Sequence, residues 1–172
     1  MSWEAVDGAI AKAIRAASGL DLNQVFWDYH DGVRPTDKPF IAMHIASDQL
    51  TAPRAEVEQV YDSSRGKIVA TYLYNRELLV RLVCYGKSNA GSYATRAILA
   101  ETQNALSAER VKQYFDAANI ALIDRGSISV APVLFDSSWE NRSILELRFR
   151  LRDFSQETLD YVASVETSGT YT

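Results

Sequence analysis

The sequence predicts an α+β fold: a mainly antiparallel β-sheet with helices packed on one face. Three observations carry that expectation. Apolar residues near the N-terminus recur at helical spacing, and residues 143–152 alternate strictly between apolar and polar. Short links separate neighbouring strand candidates, which favours antiparallel pairing. The order helix, strands, helices, strands then separates the helices and the sheet into layers.

In chain order, Trp3, Val6, Ile10, Ala13, Ile14 and Ala17 share one helical face. Ser2 is the expected side-chain cap of that helix and Gly19 its expected stop. Residues 24–29 carry large apolar groups, followed by a turn at Asp31-Gly32 and breaks at Pro35 and Pro39. Residues 40–46 read as a strand with Ile41, Met43 and Ile45 on one side. Residues 47–64 mix turn formers and charges without periodicity and read as a loop. Residues 67–74 and 77–85 read as two strands joined by a hairpin turn at Asn75-Arg76, the second apolar on both faces and therefore central in the sheet.

After a polar loop at 86–91, residues 92–106 have helical composition. A further helix starts after Ser107, carries the stripe Val111, Tyr114, Phe115 and Ala118, and stops at Asn119. Residues 127–134 are a strand candidate. The clearest strand is 143–152, where Leu145, Leu147, Phe149 and Leu151 face one way and Glu146, Arg148, Arg150 and Arg152 the other. Leu159, Tyr161, Ala163 and Val165 suggest a last strand, before a small polar tail at 167–172.

The chain of 172 residues has the length of one ordinary domain, and its 47% hydrophobic and 23% charged content is that of a soluble globular protein. A net charge of −4 without any basic run argues against a sustained grip on nucleic acid. The lone Cys84 lies in an apolar run and reads as a buried residue that forms no internal disulfide. No stretch reaches the ~20 apolar residues that span a bilayer, so no membrane partner is expected. Met1-Ser2-Trp3-Glu4 lacks a basic leader, so the expectation is a protein of the cytosol or of a particle assembled there.

A search for catalytic constellations returns nothing. The sequence holds no phosphate-binding glycine loop, no nucleophile elbow and no zinc-ligand spacing. Its two histidines, His30 and His44, read as packing or surface residues. The pairs Asp153/Glu157 and Asp136/Glu140 read as solvated loop carboxylates. No catalytic residue, metal ligand or cofactor is therefore assigned. Two features have open readings. Arg148, Arg150 and Arg152 line one strand face, as a solvated stripe, as a surface that pairs with carboxylates of another subunit, or as a phosphate contact, the last disfavoured by the acidic net charge. Trp139, in the polar run Asp136-Ser137-Ser138-Trp139-Glu140-Asn141-Arg142, is either a plug over the core or an interface anchor.

The run Trp139-Glu140-Asn141-Arg142-Ser143-Ile144-Leu145-Glu146-Leu147-Arg148-Phe149-Arg150-Leu151 resembles a strand of the tail terminator (neck) proteins of long-tailed bacteriophages, in which an aromatic and an arginine precede an alternating apolar strand. Trp139 and Arg142 fit that pattern. The ending Asp160-Tyr161-Val162-Ala163-Ser164-Val165-Glu166-Thr167-Ser168-Gly169 is similar to the family's closing segment. Pro39 with the strand behind it, and Cys84-Tyr85-Gly86, occupy the places of the family's proline-led strand and of the Tyr-Gly after its central strand.

The resemblance implies a single tail-terminator-like domain over 1–172. It implies a non-enzymatic virion protein, assembled in the host cytoplasm, whose copies form a ring, commonly of six, on the head-proximal end of the tail tube. Its partners would be further copies of itself, tube and sheath proteins and the head connector or adaptor, with DNA passing through the channel without specific binding. An acidic chain suits that passage, because like charge discourages sticking. In such a ring each copy offers different surfaces to its two neighbours. Arg54, Glu56, Glu58 and Arg65, at or next to the apparent loop 47–64, join Trp139, Arg142, Arg148, Arg150 and Arg152 as interface candidates. Two other readings compete. One is another head–tail joining or tail tube protein. The other, of a different class, is a small cytosolic enzyme or ligand-binding domain with a pocket lined by His44, Tyr72, Tyr74 and a carboxylate.

Overall fold

The computed structural model describes residues 2–28, 38–51, 56–86, 93–135 and 138–160. Helix α1 (Trp3–Ser18) is followed by a 3-10 turn at Leu22–Gln24, strands β1 (Val25–Trp27), β2 (Phe40–Leu50), β3 (Glu56–Asp62) and β4 (Lys67–Tyr85), and helices α2 (Tyr93–Ala105) and α3 (Glu109–Asp116). Strands β5 (Ile120–Val130), β6 (Val133–Phe135), β7 (Ser138–Glu140) and β8 (Arg142–Asp160) complete the order. The main sheet runs β1-β2-β4-β8-β5, with β3 also on β4, and β6 and β7 form a separate small hairpin. All main-sheet pairings are antiparallel except β1 with β2. The α+β expectation thus stands.

The helices cover one face of the sheet. Ile10 and Ile14 of α1, Leu99 of α2 and Val111 and Phe115 of α3 pack in one cluster with Ile41 and Met43 of β2 and Leu78, Val80, Leu82 and Cys84 of β4. Leu145, Leu147, Phe149 and Leu151 of β8 complete that cluster, so the alternation read from the sequence marks the covered face. Phe115 meets Phe149 at a ring separation of 5.4 Å. Two polar ties fix α1 to the edge strand: Arg15 donates to the Val25 carbonyl, and the Trp27 indole N–H donates to the Asp7 carbonyl at 3.1 Å. On the other face, among the described residues, Phe40, Ala42 and Tyr85 are buried together.

Several boundaries differ from the sequence reading. Residues 67–85 form one uninterrupted strand of 19 residues, not two strands with a turn at Asn75-Arg76. Those polar residues are satisfied by tertiary partners: the backbone N–H and hydroxyl of Thr51 donate to the Asn75 carbonyl, and Arg76 bonds both carboxylate oxygens of Asp48 at 2.8 and 2.7 Å. The true hairpin turn is at residues 63–66, where Gly66 has φ +62° and Asp62 accepts from the backbone and hydroxyl of Ser64.

Residues 47–64 are largely strand, being the end of β2 and all of β3, rather than loop. The strand expected at 127–134 begins earlier, at Ile120, and breaks at Ala131-Pro132 before β6. Asp153 and Glu157 lie inside β8 rather than after a strand.

At the helix ends, Ser2 makes no side-chain cap, although its carbonyl accepts from Ala5 and Val6, and the cap of α3 is Ala108 rather than Ser107. Gly19 (φ +67°) and Asn119 (φ +53°) sit in the left-handed region at the expected stops. The turn at Asp31-Gly32, His30, Arg54, Asp136 and the strand and tail expected beyond residue 160 lie outside the described residues.

Candidate functional site

Strands β4 and β8 pair along their whole length, from Lys67↔Asp160 to Tyr85↔Arg142. Nineteen residues at ~3.3 Å each make a ribbon of about 60 Å. The helices cover only one half of it. The half containing residues 76–85 is flanked by β2 and the half-strand 143–151 by β5, and both lie under the helices. Among the described residues, the other half, 67–73 with 154–160, is joined only by β3. It forms a three-stranded arm continuous with the body.

Arg76 marks the boundary. It bonds Asp48, lies 3.7 Å from Asp153 and places its guanidinium 5.6 Å from the ring centre of Trp3 at the start of α1. The polar cluster closes the end of the apolar core where the helical layer stops.

The arm buries little. Of its side chains Ala70 is fully buried, while Val57, Val60, Tyr61 and Phe154 are 51, 57, 53 and 52% exposed. The register assigns these groups to faces. Val57 and Tyr61 lie on the side that continues the helix-covered face, together with Ile68, Tyr72 and Leu159. Glu56, Glu58, Val60 and Asp62 lie on the opposite side with Phe154, in line with Arg148, Arg150 and Arg152 of the body. The Tyr72 hydroxyl donates to Glu157 at 3.0 Å, which pushes the phenol above its ordinary pKa. Among the described residues, two strand edges of the arm lack partners: the outer side of β3, and β8 beyond Leu151, where β5 no longer accompanies it. A groove of about 770 Å³ lies beside that second edge, walled by Leu73, Ile120, Arg150, Arg152 and Phe154.

The structure places the interface candidates as follows. Glu56 and Glu58 are exposed on β3, and Arg65 is in the arm's turn, 3.6 Å from Asp62. Arg152 pairs with Glu56 at 2.8 Å and Arg150 with Glu77 at 2.7 Å. Arg148 is exposed, with no ion pair among the described residues. The register thus brings Glu56, Glu58, Arg148, Arg150 and Arg152 to one continuous sheet face.

Trp139 is 63% exposed on the β6–β7 hairpin, directly opposite the exposed Leu134, so it is not a plug over the core. Arg142 is engaged inside the chain: it donates to Glu140 and stacks 4.7 Å over the Tyr85 ring. Burial alone would raise the Glu140 pKa, but hydrogen bonds from Lys38 and Arg142 outweigh it and hold the carboxyl below its ordinary value. These bonds fasten the small hairpin to the sheet.

The apolar arm residues Val57, Val60, Tyr61 and Phe154 were missed by sequence reasoning. A Val-x-x-Val-Tyr run inside an assumed loop was the available signal.

His44 is exposed and lies 3.3 Å from Asp28, and it shares neither large groove with Tyr72 or Tyr74. Among the described residues no group of three His, Cys, Asp or Glu side chains is placed to hold a metal ion. No helix there is long and apolar enough to cross a membrane. Cys84 is buried, and burial pushes its thiol up to about 12. Gly86 explains the Tyr-Gly pair: a Cβ there would stand 2.6 Å from Cγ2 of Thr95, whose hydroxyl is bonded to Ser143 at 2.8 Å.

The sequence profile of a family described as phage neck terminator protein matches residues 5–172. No curated protein matches the chain. Among solved structures, the chain is similar to the sheath/tube terminator, in its extended state, of the extracellular contractile injection system PVC. The TM-score is 0.49 at 11% sequence identity, with 100% of this chain and 64% of that chain covered, so this chain spans less than two thirds of that protein's length.

Proposed function

Because the chain belongs to the phage neck terminator protein family, we propose that it ends the tail tube as a ring of identical copies, commonly six in the family it resembles. In this reading the ring meets tube and sheath proteins on one side and the head connector on the other. DNA passes through its channel ungripped, and the protein has no enzymatic role. It is a component of the virion tail, assembled in the host cytoplasm.

The observation that carries the reading is the arm that no other element covers among the described residues. A folded body does not need a sheet extension that exposes large apolar side chains and unpaired strand edges. Such extensions are liabilities in a lone molecule unless something covers them. The net charge of −4 supports a channel that does not retain DNA.

Native mass spectrometry and negative-stain microscopy of the purified chain, alone and with tail tubes, test this. Closed rings, or binding confined to tube ends, are expected. A protein that stays monomeric at tens of micromolar and ignores tubes contradicts the reading, and long hollow filaments point to a tube subunit instead.

A further inference from the structure

We infer that the arm joins copies edge to edge: the outer side of β8 beyond Leu151 in one copy pairs, in parallel, with the outer side of β3 in the next. This rests on the ring proposed above and specifies its joint.

The direction follows from topology. Strands β3 and β8 both run antiparallel to β4, so they run the same way as each other, on opposite sides of it. A rotation about an axis lying roughly along the strands preserves strand direction. It therefore brings β8 of one copy beside β3 of the next in the same direction, and the contact is head-to-tail and can close. The backbone groups on the two edges that have no strand pairing among the described residues then pair with one another.

Charge selects this joint over the two-fold pairing of β3 with itself. On the side that continues the uncovered sheet face the edge of β3 carries Glu56, Glu58 and Asp62. The free edge of β8 begins with Arg152, since Arg148 and Arg150 lie where β5 pairs with β8. Pairing β3 with a second β3 would set acids against acids, whereas the edge of β8 offers it a cation that already reaches Glu56 within its own chain. At equal height Glu56 of one copy stands beside Phe154 of the other. A stagger of two residues, of the kind strand tilt imposes in a closed sheet, brings it beside Arg152. The apolar groups Val57, Val60, Tyr61 and Phe154 lie next to the joint and are covered by it.

Disulfide trapping tests the joint. Glu58 and Gln156 both face Thr71 across β4, so within one chain their Cα atoms are about 9–10 Å apart, two strand spacings. That exceeds the ~7 Å limit for a disulfide, so a bond can form only between copies. Glu58→Cys is combined in turn with Arg152→Cys, Phe154→Cys or Gln156→Cys, all on one face, to allow for the stagger. On oxidation at least one pair gives a covalent ladder that ends at the ring's copy number and collapses with reductant.

When two chains carrying one cysteine each are mixed, that pair gives dimers, and either chain alone gives none. Dimers from a single variant alone show a two-fold contact and overturn the inference. So do intact wild-type rings from which no pair of the panel is trapped, a result that leaves the ring reading standing. A wild type that forms no rings, either alone or at tube ends, defeats that reading itself.

Discussion

Phe149 and Phe154 lie five residues apart on β8, one inside the helix-covered body and one in the arm, and replacing each with alanine separates the two regions. Phe149 is fully buried against Phe115. Truncating a buried Phe costs about 3–5 kcal/mol through lost burial and the cavity left behind, and the ring pair places this site in the upper half of that range. Taking about 4 kcal/mol, and about 2–4 °C per kcal/mol for a chain of this length, the melting temperature falls by about 8–16 °C. Phe154 is 52% exposed. Fully burying a Phe is worth at most about 3 kcal/mol, so with roughly half its area already wet and no closed cavity to leave, Phe154→Ala costs about 1 kcal/mol or less.

The assay is urea denaturation followed by the fluorescence of the buried Trp27, at a dilution where the chain is monomeric. Equal losses at the two sites would refute the division into body and arm. At higher concentrations, where the wild type assembles, Phe154→Ala self-associates more weakly.

Three further outcomes follow from the body. Gly86→Ala drives a methyl group into Thr95, and thermal melting should show a loss of about 1–3 kcal/mol. Glu140→Gln removes the negative charge and one of the two acceptor oxygens that Lys38 and Arg142 use, and costs about 1.5–3 kcal/mol at pH 7. Because the folded pKa of Glu140 is depressed, its contribution is complete above the unfolded value near ~4.3 and fades as pH falls through the folded value. Urea curves of variant and wild type should therefore converge toward low pH. Cys84, buried and with its thiol pushed up to about 12, should ignore a thiol reagent in the native state and react fully in denaturant.

What the sequence disclosed and what it hid divide along the same boundary between body and arm. In residues 143–152 one side faces helices and the other faces water, so burial writes a period of two into the chain, and that strand was legible. In β3 both sides face water or the arm's thin interior, and the acids Glu56, Glu58 and Asp62 interrupt any apolar pattern, so a strand looked like a loop. Asn75 and Arg76 imitate a turn because turn formation and tertiary hydrogen bonding use the same polar groups. Only the arrival of Thr51, Asp48 and Trp3 from distant segments shows which is at work. The candidates Glu56, Glu58 and Arg152 could be picked out by charge, but their placement on one sheet face depends on the pairing of both strands with β4.

Cryo-electron microscopy of the assembled protein, at a resolution that traces strands across the contact between copies, tests the claim that the arm is the assembly surface most directly. The account predicts that β8 beyond Leu151 lies alongside β3 of the neighbouring copy, running the same way, with Val57, Val60, Tyr61 and Phe154 covered. Rings held together through the helices, with both arm edges left facing solvent, would contradict it.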